Sequence, residues 1–151
     1  MFEESETPVP IIRARDNRET VRVVKGVTRF LVHGCEVNDA YAIIEQIIPP
    51  DCGPPLHVHR HETEIFFVVD GQFEIVVGDH SVAGLPGTSA VCPRNIPHKF
   101  RNISDAPARL TVTIIPGHFG EFFERVDKAD PDDHEAIRAL AAEYDIEVLD
   151  R

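Results

Sequence analysis

The chain has 151 residues, 42% of them hydrophobic, and a formal net charge of −11. That length suits one domain with a core of its own, and the hydrophobic share excludes wholesale disorder. An acidic balance without a basic patch argues against binding to nucleic acid or to an anionic membrane surface, and no apolar run approaches the roughly 18 residues that a membrane-spanning helix needs.

The opening MFEESETPVP is acidic and lacks the apolar core of a signal peptide. Cys35, Cys52 and Cys92 fall in no motif spacing and read as free thiols, which places the protein in a reducing cytoplasm. Residues 1–10 read as a flexible acidic arm, kept extended by Pro8 and Pro10. Val9, Ile11 and Ile12 at its end could add an edge strand, to a partner subunit for instance. Strands are predicted over Thr20–Lys25, Thr28–His33 and Tyr41–Ile48, stopped by Pro49 and Pro50. After a loop at Asp51–Pro55 the series continues with a short strand, a turn and a long strand. Gln72–Val77, His80–Ala83, Thr88–Cys92, His98–Ile103 and Arg109–Ile115 follow, separated by Gly, Pro and Asp turn residues. Pro116 and Gly117 end the strands. Phe119–Val126 reads as a short helix with Phe119, Phe122, Phe123 and Val126 on one side. A second helix is predicted from Asp130 as N-cap and Pro131 in the first position, with Ile137, Leu140, Ala141 and Tyr144 as its apolar stripe, packed outside the strands so as to close a mouth or an edge.

The stretch GPPLHVHRHETEIFFVVDG, from Gly53 to Gly71, carries the chemistry. His57 and His59 are two apart and so share one face of a strand, about 7 Å apart at the backbone, where both imidazoles can converge on one ion. If the polar step Arg60–Thr63 is a tight turn, Glu64 returns beside them at the head of the apolar run IFFVV. A second stretch, from Gly87 to Asn102, ends in the alternating His98, Phe100 and Asn102 after a turn bracketed by Pro93 and Pro97. A third histidine from a neighbouring strand would complete a set of three imidazoles and one carboxylate. Phe66 and Phe100 share parity with Glu64 and His98 and should face the interior beside that set, as core filling or as pocket lining. His61 lies in the presumed turn and reads as exposed, and His33, His80, His118 and His134 read as surface groups without partners by spacing.

The pattern His57-x-His59-x4-Glu64-x6-Gly71 resembles the first motif of the cupins, and Gly87-x5-Pro93-x-Asn95-x2-His98-x3-Asn102 resembles the second. The two cover about the middle third of the chain, and the flanks are similar to the quercetin-dioxygenase-like branch of small cupins. Gly53 stands closer to His57 than the family pattern has it. Asn95 stands where the family usually has glycine, a position asparagine tolerates because it enters left-handed backbone geometry more readily than most residues. The resemblance implies an all-β fold: an antiparallel jelly-roll barrel over residues 11–116, with extra N-terminal strands and a C-terminal helical extension over residues 117–151. It also implies one mononuclear metal held by His57, His59, Glu64 and His98. Three imidazoles and a carboxylate suit Fe, Ni, Mn, Cu, Co or Zn, and leave open positions for water or substrate. Glu64, the more labile ligand, is the candidate base.

The expected function is metal-dependent chemistry on a small organic substrate, with dioxygenation of an aromatic or enolic compound first. A non-redox lyase, isomerase or cyclase reaction is the alternative, and non-catalytic binding of a small ligand is the third reading. The resemblance further implies a homodimer paired through sheet edges and N-terminal arms, with Val9–Ile12 and Val21–Val24 as the apolar pieces.

Overall fold

The computed structural model describes residues 9–16, 19–23, 25–118 and 120–149. The arm expected over residues 1–10 lies outside the described residues up to residue 8, as do Val24 and Phe119. The architecture is an antiparallel jelly roll of two facing sheets, built from β1 (Thr20–Val23), β2 (Gly26–Val32), β3 (Ala42–Ile48), β4 (His57–His59), β5 (Thr63–Asp70), β6 (Phe73–Val77), β7 (His80–Gly84), β8 (Ser89–Cys92), β9 (His98–Asn102), β10 (Ala108–Ile115) and β11 (Ile146–Val148). One sheet runs β1-β2-β3-β10-β5-β8 and the other β11-β4-β9-β6-β7. The expected strands are therefore present, with ends shifted by a residue or two.

Strict alternation builds the interior. On β10, Ala108, Leu110, Val112 and Ile114 are buried while their neighbours are less so, and Phe66 and Val68 on β5 and Phe73 and Ile75 on β6 do the same from either side. Each of these side chains larger than Ala108 contributes about 1.5–3 kcal/mol on burial. The turns have the residues their geometry needs: Gly71 at φ 81° follows β5, and Asn95 at φ 68° leads into β9, so the asparagine does take the left-handed conformation expected of it. Asn102, fully buried, donates to the Ile48 and Ala106 carbonyls at 2.9 and 2.8 Å and accepts from Ser104 N at 2.8 Å, which ties β9 to the end of β3.

The C-terminal part departs from expectation in two places. Helix α1 (Gly120–Asp127) stands near where it is predicted. Helix α2 (His134–Ala142) begins a turn later than Asp130, and its N-cap is Asp133, whose Oδ1 accepts from Ala136 N at 3.0 Å. Asp130 instead accepts from Asp132 N at 2.9 Å and closes a local Asx-type turn, which competes with helix for the same backbone. The chain then returns as a strand that the sequence reading lacks: β11 pairs with β4, Ile146 opposite His59 and Val148 opposite His57. Three residues are too few to show a period, so β11 exists because β4 offers it an edge. Val21, one of the pieces assigned to a partner subunit, is 6% exposed within this chain's own core. No described helix is long and apolar enough to cross a membrane, and the three cysteines are free thiols.

Candidate functional site

Both sheets contribute to the site. His57 and His59 stand on β4, and His98 on β9 is the cross-strand partner of His57. Glu64 comes from the facing sheet, on β5 between Ile114 of β10 and Cys92 of β8. The chain bends at Arg60 and His61 as it passes from β4 to β5 in the facing sheet, which brings Glu64 beside the histidines. His61 itself points out, 2.9 Å from Asp145. One ligand atom from each of His57, His59, Glu64 and His98 lies within 4.8 Å of the others. The imidazole rings crowd one another, with centroids 5.0 Å (His57–His59), 4.5 Å (His57–His98) and 5.3 Å (His59–His98) apart. Glu64 bridges two of them, Oε1 at 2.9 Å from His59 Nε2 and Oε2 at 3.4 Å from His98 Nε2.

The chemistry of this donor set fits a divalent metal. His57 Nδ1 is 2.7 Å from the Pro55 carbonyl and His98 Nδ1 is 2.9 Å from the Ile96 carbonyl. A carbonyl only accepts, so each Nδ1 carries the proton and each Nε2 turns a lone pair inward, the arrangement a metal-binding imidazole needs. The buried Nε2 of His98 has no hydrogen bond of good geometry among the described residues. A cation at the centre would meet that unmet need.

Electrostatics agree with a site built for positive charge. Burial pushes the His57 imidazole down to about 4, helped by His98 against the pull of Glu64. Burial acts the same way on His59, but Glu64 and Glu62 outweigh it and hold that ring up at about 10. Glu64 stays well below the usual carboxylate range despite its burial, because His59 and His98 favour the anion. The Cys92 thiol is pushed up, first by burial and then by Glu64, and is inert as a nucleophile.

Glu62 is the residue the sequence reading missed. It was part of a polar turn by pattern, yet it is fully buried, with neither carboxylate oxygen in a hydrogen bond among the described residues. Oε2 lies 3.6 Å from His59 Nδ1 and Oε1 lies 3.8 Å from Nε2 of His118, a histidine expected to stand alone at the surface. Nothing in the spacing marks Glu62, since its burial comes from the segments that cover the turn. His33 is also no free surface group: its Nδ1 accepts from Cys35 N at 3.3 Å and caps the short 3-10 turn at Gly34–Glu36.

Above the cluster opens a cavity of about 350 Å³. Its floor is His57, His59 and Glu64, its walls include Ile44, Gln46, Phe100 and Val112, and its cover is made by α1, α2 and β11 through Phe122, Phe123, Ile137 and Ile146. The C-terminal segment thus closes the mouth of the barrel, and Phe122 and Phe123, which read from sequence as helix packing more than as pocket, line the cavity. Phe100 lines it too. Phe66 faces inward as its parity requires, but packs behind His98 and Phe100, with ring centroids at 5.8 and 5.2 Å, and is absent from the lining. Gly53 lies against the Phe100 carbonyl, where a Cβ would collide with it, so glycine is required there for the loop to form the cavity wall. His134, at the start of α2, reaches the cavity rim.

The antiparallel jelly roll, with three imidazoles and a carboxylate gathered inside it, has the fold of the cupin barrel. The cupin domain model matches residues 44–114, just under half of the chain, which span both histidine stretches. Protein SchB of Streptomyces halstedii is 32% identical over 60 residues, 40% of this chain and 44% of that protein, so the match spans under half of its length. Among solved structures, KdgF from Halomonas sp. superposes with a TM-score of 0.64 at 16% identity, over 70% of this chain and 94% of that one. The polyketide cyclase RemF from Streptomyces resistomycificus superposes with a TM-score of 0.60 at 24% identity, over 71% and 80%.

Proposed function

We propose that the protein is a metal-dependent enzyme that holds one divalent transition metal on His57, His59, Glu64 and His98 and acts on a small, largely apolar organic molecule lodged in the cavity above them. The observation that carries this reading is the convergence of four ligand atoms within 4.8 Å, with three of the four residues on the floor of an apolar chamber. A bound metal would supply polarisation of a substrate carbonyl or enol oxygen. The chain does the rest. The Pro55 and Ile96 carbonyls fix the tautomers of His57 and His98. Phe100, Phe122 and Phe123 exclude water and orient an apolar ring or chain. Glu64, anionic and placed at the floor, takes and returns a proton at its carboxylate oxygens.

Non-redox rearrangement of a carbonyl-bearing substrate is our first reading of the reaction. One solved neighbour is a polyketide cyclase, which puts ring closure among the reactions to test first. Dioxygenation, placed first from sequence, is the second reading, favoured by a donor set that serves redox metals equally well. Metal analysis of protein purified without added metal, with oxygen uptake and product mass followed on carbonyl-rich and enolic compounds, decides between them. Metal bound and product formed without oxygen uptake supports the first reading, and oxygen uptake coupled to product supports the second. Protein that neither retains nor takes up a stoichiometric metal overturns both.

A homodimer belongs to the same reading. Val9 and Ile12, 66% and 99% exposed, supply apolar surface near the N-terminus for a second copy. A monomer by light scattering overturns that part.

A further inference from the structure

Gln46 stands out on the interior face of β3, where Ala42, Ile44 and Ile48 are all apolar. It is 8% exposed and lines the cavity. Its Nε2 donates to Thr28 Oγ1 at 3.2 Å, across the β2–β3 ladder, where the two residues are directly opposite. That is the one partner its side-chain amide has among the described residues. An amide has two donors and two acceptor lone pairs, so a single bond leaves most of its capacity unused in an apolar wall, where an unmet polar group is costly. A core would be better served there by the isoleucine that β3 uses elsewhere. Thr28, itself fully buried, fixes the amide's orientation, so that the remaining groups face the chamber. The other polar liners away from the floor, Lys25, Asp51 and His134, are exposed at the rim.

Register places Gln46 far from the metal cluster. Glu64 is opposite Ile114, and Ile114 is opposite Ala42, four positions along β3 from Gln46. At about 3.3 Å per residue and about 4.8 Å per strand, Gln46 and Glu64 are offset by about 13 Å along the strands and about 10 Å across them. One cavity reaches both.

We propose that Gln46, oriented by Thr28, is a specificity-determining residue that hydrogen-bonds a hydroxyl or ketone oxygen at the end of the substrate remote from the metal. The substrate class is then an elongated, largely apolar molecule of two or more rings or an equivalent chain, with a metal-binding oxygen at one end and a second oxygen roughly 10–15 Å away. This rests on the reading of the site as a metal centre with the cavity as its substrate chamber.

The test uses two chelating probes, 3-hydroxy-4′-phenylflavone and 3-hydroxy-4′-(4-hydroxyphenyl)flavone, which differ by one hydroxyl at the far end of the added ring, within the span set above. Binding to the metal-loaded protein is followed by fluorescence or calorimetry. The wild type should bind the dihydroxy compound about tenfold more tightly, as one buried hydrogen bond allows. Gln46→Leu should remove that preference while affinity for 3-hydroxy-4′-phenylflavone and metal content stay unchanged, and Thr28→Val should weaken the preference in part. Equal binding of the two probes by the wild type overturns the role of Gln46 and leaves the metal reading standing. A preference that survives in Gln46→Leu overturns it as well. Failure of the loaded protein to bind either probe overturns the reading of the site, and this inference with it.

Discussion

Glu62 Oε2 lies 3.6 Å from His59 Nδ1, behind the ring whose Nε2 faces Glu64 at 2.9 Å. A buried carboxylate thus backs the imidazole on one side while a second carboxylate meets it on the other. The first has no hydrogen bond among the described residues and would be costly to bury without the positive charge it sits beside. Its position is that of the outer-shell carboxylate that orients a metal-binding histidine and raises its basicity. Glu62→Gln keeps the volume and removes the charge. Metal affinity should fall by about 10–100-fold while the fold is retained. Competition against a chelator of known affinity measures it, and an unchanged constant would deny Glu62 this role.

Metal loading should release protons. In the metal-free protein His59 is held up at about 10 and therefore carries a proton at pH 7, whereas His57, at about 4, is neutral. Binding a metal at His59 displaces its proton, so about one proton should leave from that ring at pH 7, and the number should fall as pH approaches 10. Titration calorimetry in buffers of different ionisation enthalpy counts it. The sign for metal-free stability is the matching one. A raised imidazole contributes fully below its unfolded value near 6.5, and that contribution is lost as pH rises through about 10. No proton release at pH 7 would contradict the charge state assigned to His59.

Glu64 offers a separation of roles. Glu64→Gln should lower turnover by about 10²–10⁴-fold if the carboxylate moves a proton, while His57, His59 and His98 keep most of the metal. Metal content and turnover are measured on the same preparation. Parallel loss of both would make Glu64 a ligand only.

Away from the site, Glu36 carries a pH signature. Arg13 Nη2 donates to Glu36 Oε2 at 2.7 Å, and this bond, outweighing burial, holds the carboxyl below its usual value of 4.5. A lowered carboxyl stabilises above the unfolded value and loses that contribution as pH falls through the folded one. Glu36→Gln should therefore cost about 1 kcal/mol at neutral pH and progressively less below pH 4. Urea denaturation at pH 7 and near pH 3.5 compares the two, and an equal cost at both would remove the ion pair from the explanation.

How much of this was legible beforehand follows from what each feature depends on. The strands announced themselves because period-2 alternation is a local property: Arg109–Ile115 reads as a strand whatever surrounds it. The four-residue set was legible because His57 and His59 share parity, a turn-length gap separates them from Glu64, and a motif spacing fixes His98. Glu62 and Gln46 were not, since both depend on what the rest of the chain lays over them. A glutamate in a polar turn and a glutamine in an apolar strand look ordinary until a neighbouring segment buries them. The start of α2 shows the same limit on a small scale, because Asp130 and Asp133 are equally good caps by type and only the local turn decides between them.

Sequence alone determined the strand order along the chain, the parity of each histidine and the presence of one carboxylate within reach, because these rest on spacing and backbone preference. Tertiary structure decided that the imidazoles of one sheet meet the carboxylate of the other, that α1, α2 and β11 turn the barrel mouth into a covered chamber, and that Gln46 and Glu64 lie at distant points of the same cavity. Those are relations between strands distant in sequence. They are set by how two twisted sheets close over a shared core, which no local pattern encodes.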